Sequence, residues 1–319
     1  QKKTDKDDDA NKYWLKSSEL SGLKFRGIGP ALTSGRISDI AVNPDNFSEY
    51  YVAVASGGVW KTTNHGVSYK PIFDGEGSYS VGCITMDPNQ PATIWVGTGE
   101  NNNQRSVGYG DGVYKSTDGG KSWKNMGLKE SEHISKIIVD PRNSDVVYAA
   151  AYGPLWSEGG DRGVYKSEDG GENWERIHFV SDHTGTCDLV MDPKNPEILY
   201  QAVHQRRRHV FTYIGGGSES ALYKTTDGGK TWTESKSGLP EGKMGRVGLA
   251  VSPADANIVY AIVEAEKGKA GFFRSTNKGA TWEKRSDYTT SGNYYQEIYC
   301  DPNDVDKVFS MNTWLHHTD

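Results

Sequence analysis

One eight-residue phrase returns at intervals of roughly fifty residues and constrains the fold of this chain more than any other feature. Its clearest copy reads Ser116, Thr117, Asp118, Gly119, Gly120, Lys121, Ser122, Trp123. Further copies run from Ser167 to Trp174, from Thr225 to Trp232 and from Ser275 to Trp282, with a degraded one from Thr62 to Tyr69. A repeat of this length marks a solenoid, a propeller or an array, so the repeat is settled before any residue is read as catalytic.

Each copy follows a short apolar strand: Gly58 to Lys61, Gly112 to Lys115, Gly163 to Lys166, Leu222 to Lys224, and Phe272 to Arg274. The phrase itself reads as a tight turn. Asp118, Asp169 and Asp227, with Asn64 and Asn277 in the other copies, are short acceptors for nearby backbone N–H groups. Gly120, Gly171, Gly229, Gly66 and Gly279 supply the positive φ that a sharp reversal needs. The opening Ser or Thr hydroxyl adds a local hydrogen bond, and the closing Trp is expected to lie across the base of its own hairpin.

A second marker keeps the same period. Asn43-Pro44, Asp87-Pro88, Asp140-Pro141, Asp192-Pro193, Ser252-Pro253 and Asp301-Pro302 each close an apolar segment, because proline removes a ladder donor and stops the strand. A second apolar strand follows each pair. One unit is therefore strand a, an Asp-Pro turn, strand b, a variable connection, strand c, the stapled turn and strand d. Four antiparallel strands per unit predict an all-β β-propeller, with its core divided among the blades.

Six blade units are visible, near residues 36–73, 80–128, 134–179, 185–236, 245–285 and 294–319, the last incomplete. Residues 1–22 read as a polar, flexible leader, and 23–319 as the propeller. Leu23 to Ile28 stands where a strand d belongs, with no a, b or c strand before it. It either closes a six-bladed ring or belongs to a longer propeller, and the phrase cut off at Asp319 favours the longer one. The first residue is Gln and a polar tail precedes the first apolar residues, as in a mature secreted chain. A secreted, periplasmic or cell-surface location is expected.

Net charge is −6, and the single tight basic cluster, Arg206, Arg207 and Arg208, reads as a solvated loop, so no nucleic-acid surface is expected. No apolar run is long enough to span a membrane. Cys83, Cys187 and Cys300 lie in or beside strand a of different blades and read as small buried core residues. The eight histidines are scattered and no HExxH or Cys-His spacing occurs, so neither a metal nor a cofactor is expected.

The repeated phrase resembles the Asp-box, or bacterial neuraminidase repeat. The style of GGVWKTTNHG, GVYKSTDGGKSW and VDPRNSDVVYAA is most similar to the sortilin-like, glycosyl hydrolase-like secreted bacterial group. The resemblance covers residues 25 to 319 and implies the propeller fold. Asp-box propellers include sialidases, xyloglucan-cleaving endoglucanases, the photosystem II assembly factor and sortilin receptors, so function must be argued from the site.

Where blades differ, function is expected. The b–c connections carry long inserts at Gly97 to Asp111, Tyr152 to Arg162, His204 to Ser220 and Glu264 to Ala270, on the face opposite the stapled turns. Asn102, Arg105, Tyr109, Tyr152, Trp156, Arg162, His204, Arg206 and Tyr213 are the expected ligand-binding residues, a mixture of rings, amides and charges suited to a glycan or a peptide. The competing reading of Tyr109, Tyr152 and Trp156 is that they pin long loops to the blade tops.

A glycosidase needs two carboxylates across a cleft. Glu100 with Asp111, and Glu158 with Asp161, are the candidate catalytic pairs, without a motif behind them. The resemblance to the xyloglucan-cleaving enzymes puts their catalytic base at the position of Ala55, where this chain has no carboxylate. The sialidase Arg-Ile-Pro is also absent. Arg36 and Arg246, each opening a strand a, read as side chains that knit blades together. The expectation is a binding scaffold for a glycan or a protein, with a carbohydrate-active glycoside hydrolase as the alternative and a component of a larger envelope assembly as a third reading.

Overall fold

A computed structural model describes Gly22 and residues 35–318. Apart from Gly22, the expected leader and the orphan strand Leu23 to Ile28 lie outside the described residues. Over 35–318 the chain is all-β, six antiparallel sheets following one another along the sequence. Helix among the described residues is the 3-10 turn Lys129–Ser131.

Strands a to d are Ile37–Val42, Tyr50–Val54, Gly58–Thr62 and Lys70–Pro71 in blade 1, and Val81–Met86, Ile94–Thr98, Val113–Ser116 and Lys124–Asn125 in blade 2. Blade 3 has Ile134–Asp140, Asn143–Ala151, Gly163–Ser167 and Glu175–His178. Blade 4 has Thr184–Met191, Leu199–Arg208, Ala221–Thr225 and Thr233–Glu234. Blade 5 has Met244–Val251, Val259–Ala265, Gly271–Ser275 and Glu283–Ser286, and blade 6 has Glu297–Cys300, Val308–Met311 and His316–His317. The order a, b, c, d in blades 1 to 5, and a, b, c in blade 6, is the one the two sequence markers predict.

The stapled turn works as its spelling predicts. Ser116 Oγ donates to Asp118 Oδ1 at 2.8 Å and accepts from Gly120 N at 2.8 Å, while Asp118 Oδ1 accepts from Lys121 N and Ser122 N, both at 2.9 Å. Gly120 stands at φ 86°, where a side chain would strain the turn. Asn277 in blade 5 replaces the aspartate with no loss of geometry: its Oδ1 accepts from Thr281 N at 2.9 Å.

The tryptophan differs from expectation. Trp232 donates to the Gly229 carbonyl of its own turn at 3.1 Å, but Trp123 of blade 2 donates through Nε1 to the Ile72 carbonyl of blade 1 at 2.7 Å, and Trp282 of blade 5 donates to Ser235 Oγ of blade 4 at 2.9 Å. Strand d is too short to bury an indole by itself, so the ring covers the neighbouring blade.

Hydrogen bonds also link successive inner strands. Asp39 accepts from Ile84 N at 3.2 Å, Thr85 donates to the Ile137 carbonyl at 2.7 Å, and Ser135 donates to the Thr186 carbonyl at 2.7 Å. Asp188 then accepts from Leu249 N at 2.8 Å, and Gln296 donates to the Arg246 carbonyl at 3.2 Å. The strands approach so closely here that a side chain on Gly248 would run into the Gln296 carbonyl.

Apolar burial follows the same plan. Separate clusters lie between successive blades, such as Tyr51, Phe73, Ile94 and Tyr114 between blades 1 and 2, and Tyr200, Val247, Val259 and Phe273 between blades 4 and 5. Cys83 and Cys187 are buried and Cys300 half-buried, all as free thiols, and burial pushes the Cys187 thiol up to about 11. These cysteines are packing residues.

Candidate functional site: the loop face and the axis

Alternation of short turns and long inserts sends the b–c and d–a connections to one face. The blade 2 insert crosses that face. Asn103 donates through its backbone N–H to the Asn293 carbonyl at 2.9 Å and through Nδ2 to the Gly292 carbonyl at 2.9 Å, both before blade 6. Its own oxygens accept from blade 4: Oδ1 from Arg206 Nη1 at 2.7 Å and the carbonyl from Arg208 Nε at 2.6 Å. Glu100 is buried and accepts from Arg36 of blade 1, from Ser56 Oγ at 2.9 Å and from Asn102 Nδ2 at 2.6 Å. Four blades therefore meet on residues 100–103.

This meeting explains where the expected ligand-binding residues stand. Asn102, Tyr152, Arg162, His204 and Arg206 are buried. Arg162 donates to the carbonyls of Gly159, Tyr152, Pro154 and Ser157, which folds the blade 3 insert around one guanidinium. Arg206 lies 3.3 Å over the Tyr152 ring, and Tyr152 OH meets His204 Nδ1 at 2.5 Å. Burial drives His204 down to about 3, with the Arg206 and Arg246 charges acting the same way, so the imidazole is neutral. Tyr213 lies under Arg208, the guanidinium carbon 4.3 Å from the ring centre. Arg105 and Tyr109 are exposed and Trp156 half-buried.

The basic cluster is not a solvated loop. Strand b of blade 4 runs on to Arg208 and pairs with Tyr213–Gly215 as an extended hairpin, so alternation turns Arg206 and Arg208 inward. Its tip exposes Val210 and Phe211.

The sequence-expected carboxylates separate. Asp161 accepts from Glu130 N at 3.2 Å and from Tyr165 OH at 3.2 Å, whereas exposed Glu158 stands 3.8 Å from His183 Nδ1 and 3.9 Å from Arg207 Nη1. Asp111 accepts from Tyr114 OH at 2.6 Å and raises the pKa of Glu76, whose carboxyl is shifted upward first by burial and then by the Asp111 charge. Exposed Tyr79 and Tyr109 flank these two loops, and Ser78 Oγ joins them by donating to the Tyr109 carbonyl at 2.8 Å. Ser80 Oγ ties the same loops to the Ala55 carbonyl at 2.9 Å and the Gly108 carbonyl at 3.1 Å.

Sequence reasoning missed Glu76, Glu132, Glu264 and Glu297. Glu76, Glu132 and Glu264 lie toward the loop face and Glu297 toward the axis, all with pKa values raised chiefly by burial. The stapled-turn aspartates on the opposite face are shifted downward by side-chain donors, a hydroxyl or in Asp169 the Asn173 amide, and by backbone donors. A spacing signal could not have found these glutamates, since they come from the d–a loops, the end of a strand b and the start of a strand a.

Around the axis, Arg246 of blade 5 donates to Glu297 of blade 6 at 3.2 Å, so Arg246 and Arg36 both join neighbouring blades. Lys136 of blade 3 reaches Asp39 of blade 1 at 3.9 Å. Asn101 donates to Glu297 at 3.2 Å. Among the described residues no three His, Cys, Asp or Glu side chains gather as a metal would need, and no helix is long and apolar enough to cross a membrane.

The family model described as "Sortilin, neurotensin receptor 3" matches residues 111–270. A xyloglucanase of Hypocrea jecorina is 29% identical over 185 residues, 54% of this chain and 20% of that protein. An oligoxyloglucan-reducing end-specific xyloglucanase of Emericella nidulans is 23% identical over 313 residues, 84% of this chain and 35% of that protein. The chain thus spans a fifth to about a third of the length of these relatives. Among solved structures, a GH74 enzyme of Niastella koreensis matches with a TM-score of 0.63 at 21% identity, over 86% of this chain and 43% of its own, a likeness of fold. The xyloglucanase relatives overturn the expectation of a non-catalytic binding scaffold: the similarity runs along most of the chain to enzymes, and favours the glycoside hydrolase alternative.

Proposed function

The chain belongs to the Sortilin-Vps10 family, and from that premise we propose that it is a glycoside hydrolase propeller acting on a xyloglucan-type polysaccharide across its loop face. The observation that carries this reading is the match to a xyloglucanase over 84% of the chain. The stapled turns are read as Asp-box repeats that hold the opposite face rigid. A polysaccharide of this kind is met outside the cell, in keeping with a secreted protein.

The best-supported catalytic pair is Glu76 with Asp111. Burial and the Asp111 charge keep Glu76 toward its protonated form, the state in which a carboxyl can hand a proton to a departing glycosidic oxygen. Asp111, oriented by Tyr114, is placed to serve the opposite role, as base for water or as nucleophile. Tyr79 and Tyr109 offer exposed rings on which pyranose faces stack. The position of Ala55 lies beside this group through Ser80, so the missing family carboxylate and the proposed pair share one region.

Release of reducing ends from xyloglucan by the purified chain tests the reading. Glu76→Gln and Asp111→Asn are each expected to lower the rate at least ~100-fold with the melting temperature unchanged. No release by the unaltered chain, or full release by both variants, defeats it.

A further inference from the structure

The axis holds a second site, and it does not depend on the hydrolase reading. A cavity of about 420 Å³ runs along it, lined by inner strands of several blades. Its wall is divided. Val190, Met191, Val251 and Ile298 form an apolar part, while Asp39, Lys136, Asp188, Arg246 and Glu297 form a charged part.

Arg246 makes this wall unusual. It is 1% exposed, its Nη2 donates to Glu297, and its Nε and Nη1 have no partner among the described residues. A buried donor left without an acceptor is costly, so these two N–H groups call for oxygen atoms. The carboxylates call for the reverse. Asp39 and Asp188 each accept from two backbone N–H groups, with Lys136 a further 3.9 Å from Asp39, whereas a carboxylate has room for about four hydrogen bonds.

Charge then selects the ligand. Two cationic side chains, Lys136 and Arg246, stand among three carboxylates, of which Asp188 and Glu297 are shifted toward their neutral form first by burial, so the wall has no decided excess of either sign to reward an anion or a cation. A neutral molecule whose groups both give and accept hydrogen bonds satisfies both halves. Sugar hydroxyls do this. Tyr299, 40% exposed on the same wall, provides a ring for the apolar face of a pyranose, and the volume suits one such unit.

We propose that the axial cavity is a binding site for a single neutral sugar unit, held by Arg246, Glu297 and Asp188 and stacked on Tyr299. Such a site, apart from the Glu76–Asp111 region, would answer to free monosaccharide.

Calorimetric titration of the purified chain with glucose, xylose and galactose tests this, with sodium acetate and tetramethylammonium chloride as charged probes. Saturable binding of at least one sugar is expected, weakened ~10-fold or more by Arg246→Met and by Tyr299→Ala. Tyr299→Ala is on a solvent-reached wall and keeps the test valid should the Arg246 variant fail to fold. No binding of any of the three sugars, equal binding by the Tyr299 variant, or tighter binding of acetate or tetramethylammonium overturns the proposal.

Discussion

Trp174 of blade 3 donates its indole N–H to the Met126 carbonyl of blade 2 at 2.8 Å, and its ring meets Trp95 of blade 2 edge to face with centroids 6.5 Å apart. The signature residue of one blade is thus a structural part of the blade before it. Blade 2 leaves an apolar strip beside its strand d that blade 3 covers, which ties the folding of one blade to the next.

Trp174→Ala therefore acts at the interface between blades 2 and 3. A loss of about 3 kcal/mol is expected, from the emptied apolar volume and the orphaned Met126 carbonyl. Trp174→Phe keeps the ring and is expected to cost about 1 kcal/mol. Chemical denaturation of the two variants checks the order.

Much of this architecture is legible from the phrase and the Asp-Pro markers, because turn chemistry is local: Asp118 with Ser116 and Gly120 decides the reversal whatever lies around it. The partner of Trp174 is not legible. Nothing in its own repeat points to Met126, forty-eight residues earlier. The loop face is harder still, since Asn103 collects partners from blade 4 and from the approach to blade 6, and the inward turn of Arg206 follows from a strand extension that composition alone reads as a charged loop. Ala55 was readable as a departure from the xyloglucan-cleaving pattern, but the Glu76–Asp111 proximity needed two loops to be placed together.

Asp227 accepts from Thr231 N at 2.9 Å and from Thr231 Oγ1 at 2.6 Å, and these donors hold its carboxyl down at about 2. A carboxyl depressed in the folded state gives stability that is present above its ordinary value near 3.8 and lost as pH falls toward about 2. Asp227→Asn, which blade 5 already models with Asn277, is expected to fold at neutral pH and to show a flatter fall of melting temperature between those limits. Thermal scans across that range measure it.

His204 has the same acid-side sign through a different cause. Buried and neutral, it titrates at about 3 when folded against 6.5 in the ordinary state, so the unfolded chain binds a proton first. Stability is complete above pH 6.5 and falls as pH is lowered toward about 3, by on the order of 4 kcal/mol from this one group. His204→Gln is expected to remove that slope. Its effect at pH 7 is a separate, constant loss from the broken Tyr152 contact, read from the same denaturation curves.

Asp111 sets where Glu76 gives up its proton. The Glu76 carboxyl is raised first by burial and next by the Asp111 charge, and Asp111→Asn removes the second cause while leaving the first. The Glu76 titration is therefore expected to move to lower pH in the variant, remaining above the ordinary glutamate value. Carbon-detected NMR of the Glu76 carboxyl follows this directly, without any need for turnover. In the proposed hydrolase, where protonated Glu76 is the active form, the alkaline limb of the residual activity must move to lower pH by the same amount. A carboxyl that titrates identically with and without Asp111 would break the coupling between the two residues, and with it the case for treating them as one catalytic pair.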